Sequence, residues 1–518
     1  MISRKFNYHF YYLVLIVLIT TLAHFVPFER ASLAPDDYAF LLMEKEGLGH
    51  FLTSPHRPLQ YLWAETQNIF IGDNSQLGLF FVYLSSTITI LLCYWLISLF
   101  TKDKVTIFLI TLVYSVLFIK LEIYQYPGNV HVNLSTSIYI LSLIFFLIFI
   151  RSYQNAYLAM SISSYSIAVF WYEVGFFIPI AMFTYYFLVR ENNKKITDVL
   201  KIFLPFLFVV FFYSVYRITG GFGATEWLAG RQVSISTIPQ GIVDVFHHFF
   251  GRYFVRNIIY GLYKFPDIST PWLAIISFLN IISAFAIYRI FQAKESLDLS
   301  RKQIVFFLVL FFVSIIPNVL VGAVGGRNVI IASIPFVVFI YLILNLLSKK
   351  ITPYAYTLLF VFSLVICQGN AWNQVMASRI NGSVYEYLKE RRQDMLTSDI
   401  IIIDTNSFAE NIDYTMVKRE FNTLNTYYGA QAFESWGLTS MVHLVLGDLK
   451  DDKEIIISVE SPKLSENGNL IVVTGEVDSY RSVKKTSKEI NPESPFFVNF
   501  NKVFPQGFNK GKRIQLNN

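Results

Sequence analysis

Apolar residues run in long blocks along the first 370 positions, with polar residues gathered at the block ends. A bilayer-crossing helix needs about 20 mostly apolar residues. Blocks of that kind lie at 11–28, 79–100, 105–121, 132–150, 156–171, 174–189, 202–218, 271–289, 304–321, 328–347 and 353–369, which predicts about eleven spans. The first block has the Arg4-Lys5 flank of a signal peptide, but only His24-Phe25-Val26-Pro27 follows it, with no small-residue cleavage site. It is read as a span. The stretch 156–189 is read as a hairpin turning at Trp171-Tyr172-Glu173-Val174-Gly175, because a single helix would invert everything downstream.

Past Cys367 the pattern changes. A helical stretch at 374–392 precedes apolar runs at Ile400–Ile403, Glu454–Val459 and Leu470–Val477 that read as strands. The expected fold is therefore mostly α: a polytopic transmembrane helical domain over 1–370, followed by a small α/β or α+β domain over 371–518. Two long loops, 29–78 and 219–270, interrupt the membrane part.

Composition sharpens the division. Of 518 residues 54% are hydrophobic and 15% are charged, against about one-quarter charged in an average soluble domain. A soluble enzyme and a disordered chain are both excluded. Residues 1–370 hold 25 Lys+Arg and 17 Asp+Glu; the shorter remainder holds 17 and 19. The two cysteines, Cys93 and Cys367, sit inside apolar runs and cannot build a disulfide framework or a zinc site. The net charge of +6 gives no reason to invoke nucleic acid.

Charge also sets the expected sidedness. Lys102, Lys104, Arg151, Lys194, Lys195, Arg289, Lys349 and Lys350 fall in short connections on one side, which the positive-inside rule assigns to the cytoplasm. The amino terminus is then inside and the 371–518 tail outside, for a multi-pass protein of the inner cell membrane. Twelve of the 17 acids of the membrane part fall on the outer face, with both long loops. Chemistry is expected there.

Asp36 and Asp37 follow the first span. Adjacent carboxylates suit a divalent cation, magnesium or manganese, or a general base tuned by its neighbour; equally, they suit a helix N-terminus at 38–46. Arg57, before Pro58, offers a planar fork for phosphate or an interfacial anchor beside Tyr61 and Trp63. Glu173 stands alone at the hairpin tip, where a carboxylate at membrane depth is a functional candidate and one in water a solvated turn. Gly325-Gly326-Arg327-Asn328 is a phosphate contact or a plain turn. His131, on the same face, is a ligand or a structural histidine. His247-His248 has no metal spacing. No Walker loop, dinucleotide-binding glycine pattern or HExxH is present, and no span carries a charge clearly at its centre.

An acidic pair after the first span, a following Arg-Pro-Leu, the Tyr172-Glu173 hairpin and the late Gly326-Arg327 together resemble the GT-C class of polytopic glycosyltransferases, of the bacterial O-antigen glucosyltransferase kind. The resemblance covers about residues 1–370. His56 departs from it, standing where relatives often carry glycine. It implies transfer of a sugar from a polyprenyl-phosphate donor, at the outer face among membrane lipids, to a glycan or lipid acceptor. Asp36, Asp37 and Glu173 would be catalytic, the aspartates with or without a divalent cation. Arg327, Arg57 and His131 would meet the donor phosphate. A lipid-linked oligosaccharide flippase or transporter, a polysaccharide polymerase and a non-catalytic scaffold are the alternatives.

Overall fold

The computed structural model describes residues 2–24, 58–71, 74–124, 127–189, 196–218, 238–292, 299–321, 326–404, 426–427, 430–431, 435–447, 454–458, 463–465, 467, 469–479, 482–490 and 495–499. The protein is mostly α-helical and polytopic. Its chain divides into two compact units, one of residues 1–27, 48–63 and 79–371, the other of 28–47, 64–78 and 372–518.

The first unit is built from α1 (Ile2–His24), α2 (Pro58–Phe70), α3 (Ser75–Ser98), α4 (Lys104–Ser115), α5 (Val130–Ser152), α6 (Asn155–Trp171), α7 (Ile178–Val189), α8 (Ile196–Ile218), α9 (Ile238–Phe249), α10 (Arg252–Lys264), α11 (Thr270–Gln292), α12 (Arg301–Val321), α13 (Ser333–Asn345) and α14 (Thr352–Glu390), of which α2, α3 and α14 include residues assigned to the second unit. Over the described residues, each of the eleven apolar blocks falls wholly or mostly on a helix. Among the described residues six helices are long and apolar enough to cross a membrane, and seven if the bent pair Lys104–Ser115 and Phe118–Tyr124 is one span. His9–His24, Glu173–Val189 and Ser333–Asn345 are apolar but shorter.

Three boundaries differ from the sequence pattern. The expected span 328–347 begins as a 3-10 turn, Gly326–Val329, and is α-helical only from Ser333. The block 353–369 and the helical stretch at 374–392 are one helix, α14. The block 105–121 is not straight: it bends by 64° after Ser115 into the 3-10 segment Phe118–Tyr124.

That bend has a local chemistry. Asp103 caps α4, accepting from the backbone N–H of Val105 and Thr106. Where α4 stops, carbonyls lose their helical partners, and inside apolar surroundings each needs another donor. His24 Nε2 donates to the Ser115 carbonyl at 2.9 Å, and the Cys367 thiol to Val116 at 3.1 Å. His248 Nε2 donates to the Ile119 carbonyl at 2.8 Å. Side chains from α1, α14 and α9 therefore hold the break open.

Helix faces sort by neighbour. α4 is buried from Thr106 through Ser115. α8 and α11 expose Leu204, Phe208, Phe211, Phe278 and Ile281, the apolar faces expected against lipid tails. Between α3 and α5 runs a buried polar seam: Thr89 Oγ1 meets Ser137 Oγ at 2.8 Å, and Asn133 Nδ2 donates to Ser86 Oγ at 2.8 Å. Such bonds join membrane helices where apolar surface alone gives no preference for a neighbour over lipid.

The second unit carries a mixed sheet. Its strands β1 (Ile400–Asp404), β2 (Thr426–Tyr427), β3 (Ala430–Gln431), β4 (Glu454–Ser458), β5 (Lys463–Leu464), β6 (Leu470–Ser479), β7 (Ser482–Ile490) and β8 (Pro495–Asn499) lie with the helices α15 (Arg392–Leu396) and α16 (Ser435–Leu446). The sheet runs β5-β6-β4-β1-β8, with β7 on β6 and the pair β2-β3 apart. β1 pairs in parallel with β4 and β8, so it is central and its Ile401, Ile402 and Ile403 are fully buried. The strands expected at 400–403, 454–459 and 470–477 are present over their described residues; β7 carries no comparable apolar signal, and β8, with its short run Phe496-Phe497-Val498, was not expected.

Candidate functional site

The bend after α4 places Glu122 against the 3-10 turn at Gly326–Val329. Glu122 Oε1 lies 3.3 Å from Arg327 Nε, and its Oε2 accepts the Arg327 backbone N–H at 3.2 Å. The two side chains are 21% and 28% exposed, so the pair is neither deeply buried nor open to free solvent. A Cβ on Gly326 would come to 3.0 Å from Glu122 Cβ and 3.2 Å from the Ile119 carbonyl. Glycine here permits the close approach.

Asn328, next along, is held from two directions. The Tyr172 hydroxyl donates to its Oδ1 at 2.5 Å, and Asn318 Nδ2 from α12 donates to its carbonyl at 3.2 Å. Tyr172 is itself fixed, since the Tyr139 hydroxyl donates to its carbonyl at 2.9 Å. The His131 ring stands edge-on to Tyr172 at 5.6 Å between centroids, and its Nδ1 donates to the Gly128 carbonyl. Asn129 Nδ2 donates to the Glu122 carbonyl at 2.5 Å. Glu122, Asn129 and His131, then Tyr172 and Glu173, then Asn318, Arg327 and Asn328, far apart in sequence, thus converge on one patch.

The expected residues divide accordingly. Arg327 and His131 lie in this patch, and half-buried Glu173 opens the 3-10 turn Glu173–Gly175 directly after Tyr172. His131 is 4% exposed and makes a backbone bond, the structural use of a histidine. Asp36, Asp37 and Arg57 lie outside the described residues. Among the described residues no group of three or more His, Cys, Asp and Glu is placed to hold a metal ion. The pair expected to hold one, Asp36 and Asp37, is not among them.

Glu122 and Asn318 were not singled out as site residues from the sequence, and Tyr172 and Asn328 entered it only as motif neighbours of Glu173 and Arg327. Glu122 had a signal: Lys120-Leu121-Glu122 puts two charges at the end of an apolar block. Lys120 points the other way. It is 1% exposed, donates to the Tyr124 hydroxyl at 3.1 Å and lies 4.2 Å from the centre of the Tyr114 ring. Among the described residues it meets no carboxylate, and aromatic faces supply the negative potential instead.

His248 flanks the patch from α9. Burial holds its imidazole below the ordinary histidine range, and Arg256 adds to the lowering, against the opposing pull of the Ile119 carbonyl and Glu122. His247 serves differently, its Nδ1 accepting the backbone N–H of Arg252 at 3.3 Å.

The solved structures similar to this chain include two from different proteins. One is the archaeal oligosaccharyltransferase AglB from Archaeoglobus fulgidus in complex with an inhibitory peptide and a dolichol-phosphate, at 12% identity and a TM-score of 0.41, over 87% of this chain and 64% of that one. The chain thus spans less than two thirds of that protein's length. The other is ArnT from Cupriavidus metallidurans in the apo state, at 12% identity and a TM-score of 0.38, over 86% of each chain. No family model and no curated protein matches the chain.

Proposed function

We propose that this protein is an integral-membrane glycosyltransferase that moves a sugar from a polyprenyl-phosphate donor to a cell-surface glycan or lipid acceptor, at the outer face of the inner membrane. The observation that carries the reading is the convergence of Arg327, held by Glu122, with Tyr172, Glu173 and His131 in a polytopic helical bundle. A donor anchored by its lipid brings its phosphate to the interface, and a guanidinium fork there matches phosphate oxygens.

The chemistry assigns each group a task. The acceptor hydroxyl oxygen bonds to the anomeric carbon as the anomeric C–O bond breaks, and that electron pair leaves with the polyprenyl phosphate. The acceptor proton passes to a carboxylate of the Asp36-Asp37 pair. Arg327, with Arg57, stabilises the charge gathering on the leaving phosphate. A divalent cation, magnesium or manganese, on the acidic pair would add Lewis-acid stabilisation of that phosphate when bound. Residues 1–370 form the catalytic domain in this reading, and 371–518 form an extracytoplasmic domain.

The test is turnover by purified protein offered a panel of polyprenyl-phosphate sugars. Wild type is expected to transfer at least one of them. Asp36→Asn or Asp37→Asn, whichever removes the base, is expected to lose about a hundredfold or more in rate. Undiminished transfer by both variants would remove the proposed site.

A further inference from the structure

We propose that Glu122 is a positioning residue: it sets the guanidinium of Arg327 in the orientation that receives the donor phosphate. This rests on the reading of Arg327 as a phosphate contact. An arginine on a long flexible stem reaches many places, and freezing it at the moment of binding weakens the complex. Glu122 removes that freedom at two points, since one carboxylate oxygen faces Nε at 3.3 Å and the other accepts the residue's own backbone N–H at 3.2 Å. Backbone and side chain are thereby tied to one anchor. The anchor is itself tied down, its carbonyl accepting from Asn129, which is fully buried.

The surroundings fit positioning better than charge balance. A carboxylate beside Arg327 offsets part of the positive charge that would attract a phosphate, so its net electrostatic effect on that ligand is unfavourable. A partly exposed ion pair also contributes little to folding. Yet the contact is built with care: Gly326 admits Glu122 where a Cβ would crowd it, and Tyr172 and Asn318 hold the next residue from separate elements. What such an arrangement fixes is direction.

Positioning and charge balance predict opposite signs, which a binding experiment separates. The full-length protein in nanodiscs of neutral lipid is titrated with a polyprenyl phosphate, with the uncharged polyprenol as control. Arg327→Gln is expected to weaken binding of the phosphate but not of the polyprenol. Glu122→Ala is expected to weaken it about tenfold, although it removes a negative charge. Glu122→Gln keeps an acceptor oxygen and stays within about threefold of wild type. In the Arg327→Gln background, Glu122→Ala adds nothing further, because the group it positions is gone. Glu122→Asp, shorter by one methylene and the milder test of folding, falls between Ala and wild type.

Tighter or unchanged binding by Glu122→Ala, with Arg327→Gln weakened, overturns the positioning role and leaves the Arg327 reading standing. A full Glu122→Ala loss that persists in the Arg327→Gln background overturns it too. Unchanged binding by Arg327→Gln removes the phosphate reading itself, and the role of Glu122 with it.

Discussion

His248 shows what one residue does for the bend. Its Nε2 donates to a carbonyl, so the neutral ring keeps its other nitrogen as an acceptor, and protonation inside a buried site is disfavoured. The folded state therefore has the lower pKa. Below about pH 6.5 the unfolded chain takes up a proton that the folded chain refuses, so stability is lost as pH falls from 6.5 toward the folded value and is unaffected above it. The loss is at most about 1.4 kcal/mol for each pH unit. Glu122, which favours the charged ring, and Arg256, which opposes it, face this site. Thermal unfolding of wild type and His248→Gln between pH 7.5 and 5 should show the wild-type midpoint falling more steeply below 6.5; parallel curves would mean that His248 is not the titrating group. None of this was legible in the His247-His248 pair, where a metal was the natural question. Whether a histidine binds a carbonyl or a ligand depends on which turn it meets. Lys120 was hidden for a related reason: at the end of an apolar block it reads as an interfacial charge, and only the bend after Ser115 carries it inward among aromatic rings.

At the scale of elements, the apolar blocks were readable because each helix must be apolar to sit in lipid, and their length alone sets the expectation. Bends and close approaches were not readable, because they depend on partners far along the chain. Gly369 of α14 faces Gly261 of α10 so closely that a Cβ would be driven into the Gly261 carbonyl. Gly241 of α9 likewise lies against the backbone of Val319 in α12. These glycines let the two amphipathic helices rest backbone to backbone on the long ones, and Asn370 Nδ2 adds a bond to the Asn257 carbonyl at 2.9 Å. Gly369→Ala is therefore expected to lower stability by about 1–3 kcal/mol, the usual cost of overpacking. Gly447, whose Cβ would meet nothing, has φ +71 and is a poor control; the exposed Ser348→Ala serves better. Equal unfolding temperatures for Gly369→Ala and Ser348→Ala in detergent would show that the helices part without cost. β7 was also unreadable, for its Lys484, Lys485 and Lys488 carry no strand pattern. It is a strand because β6 pairs with it from Leu470 to Ser479.

For the whole membrane unit, contacts constrain topology in a way that charge counting does not. Glu122 and Arg327 touch, so the chain crosses the bilayer an even number of times between them. The blocks 132–150, 156–171, 174–189, 202–218, 271–289 and 304–321 supply six crossings. Were 156–189 a single span there would be five, and the two residues would lie on opposite sides. The Tyr172–Asn328 bond imposes the same condition on the blocks after the hairpin and is met by four. The other end agrees: Arg151 donates to the Leu99 carbonyl, and Gln303 Nε2 donates to Phe100 at 3.0 Å, each pair again separated by an even count. The pairing is thus compatible with the hairpin and, with the other blocks crossing, incompatible with a single span over 156–189. Which end faces outward rests on the positive-inside rule alone, and that is measurable. Cys93 and Cys367 are fully buried, so the natural chain is a quiet background for labelling. A membrane-impermeant maleimide applied to intact cells should modify Ser54→Cys, in the 29–78 loop, and spare Lys349→Cys until the membrane is opened. The reverse pattern would turn the molecule over, bringing the Glu122–Arg327 patch to the cytoplasm, where a donor presented at the outer leaflet never arrives.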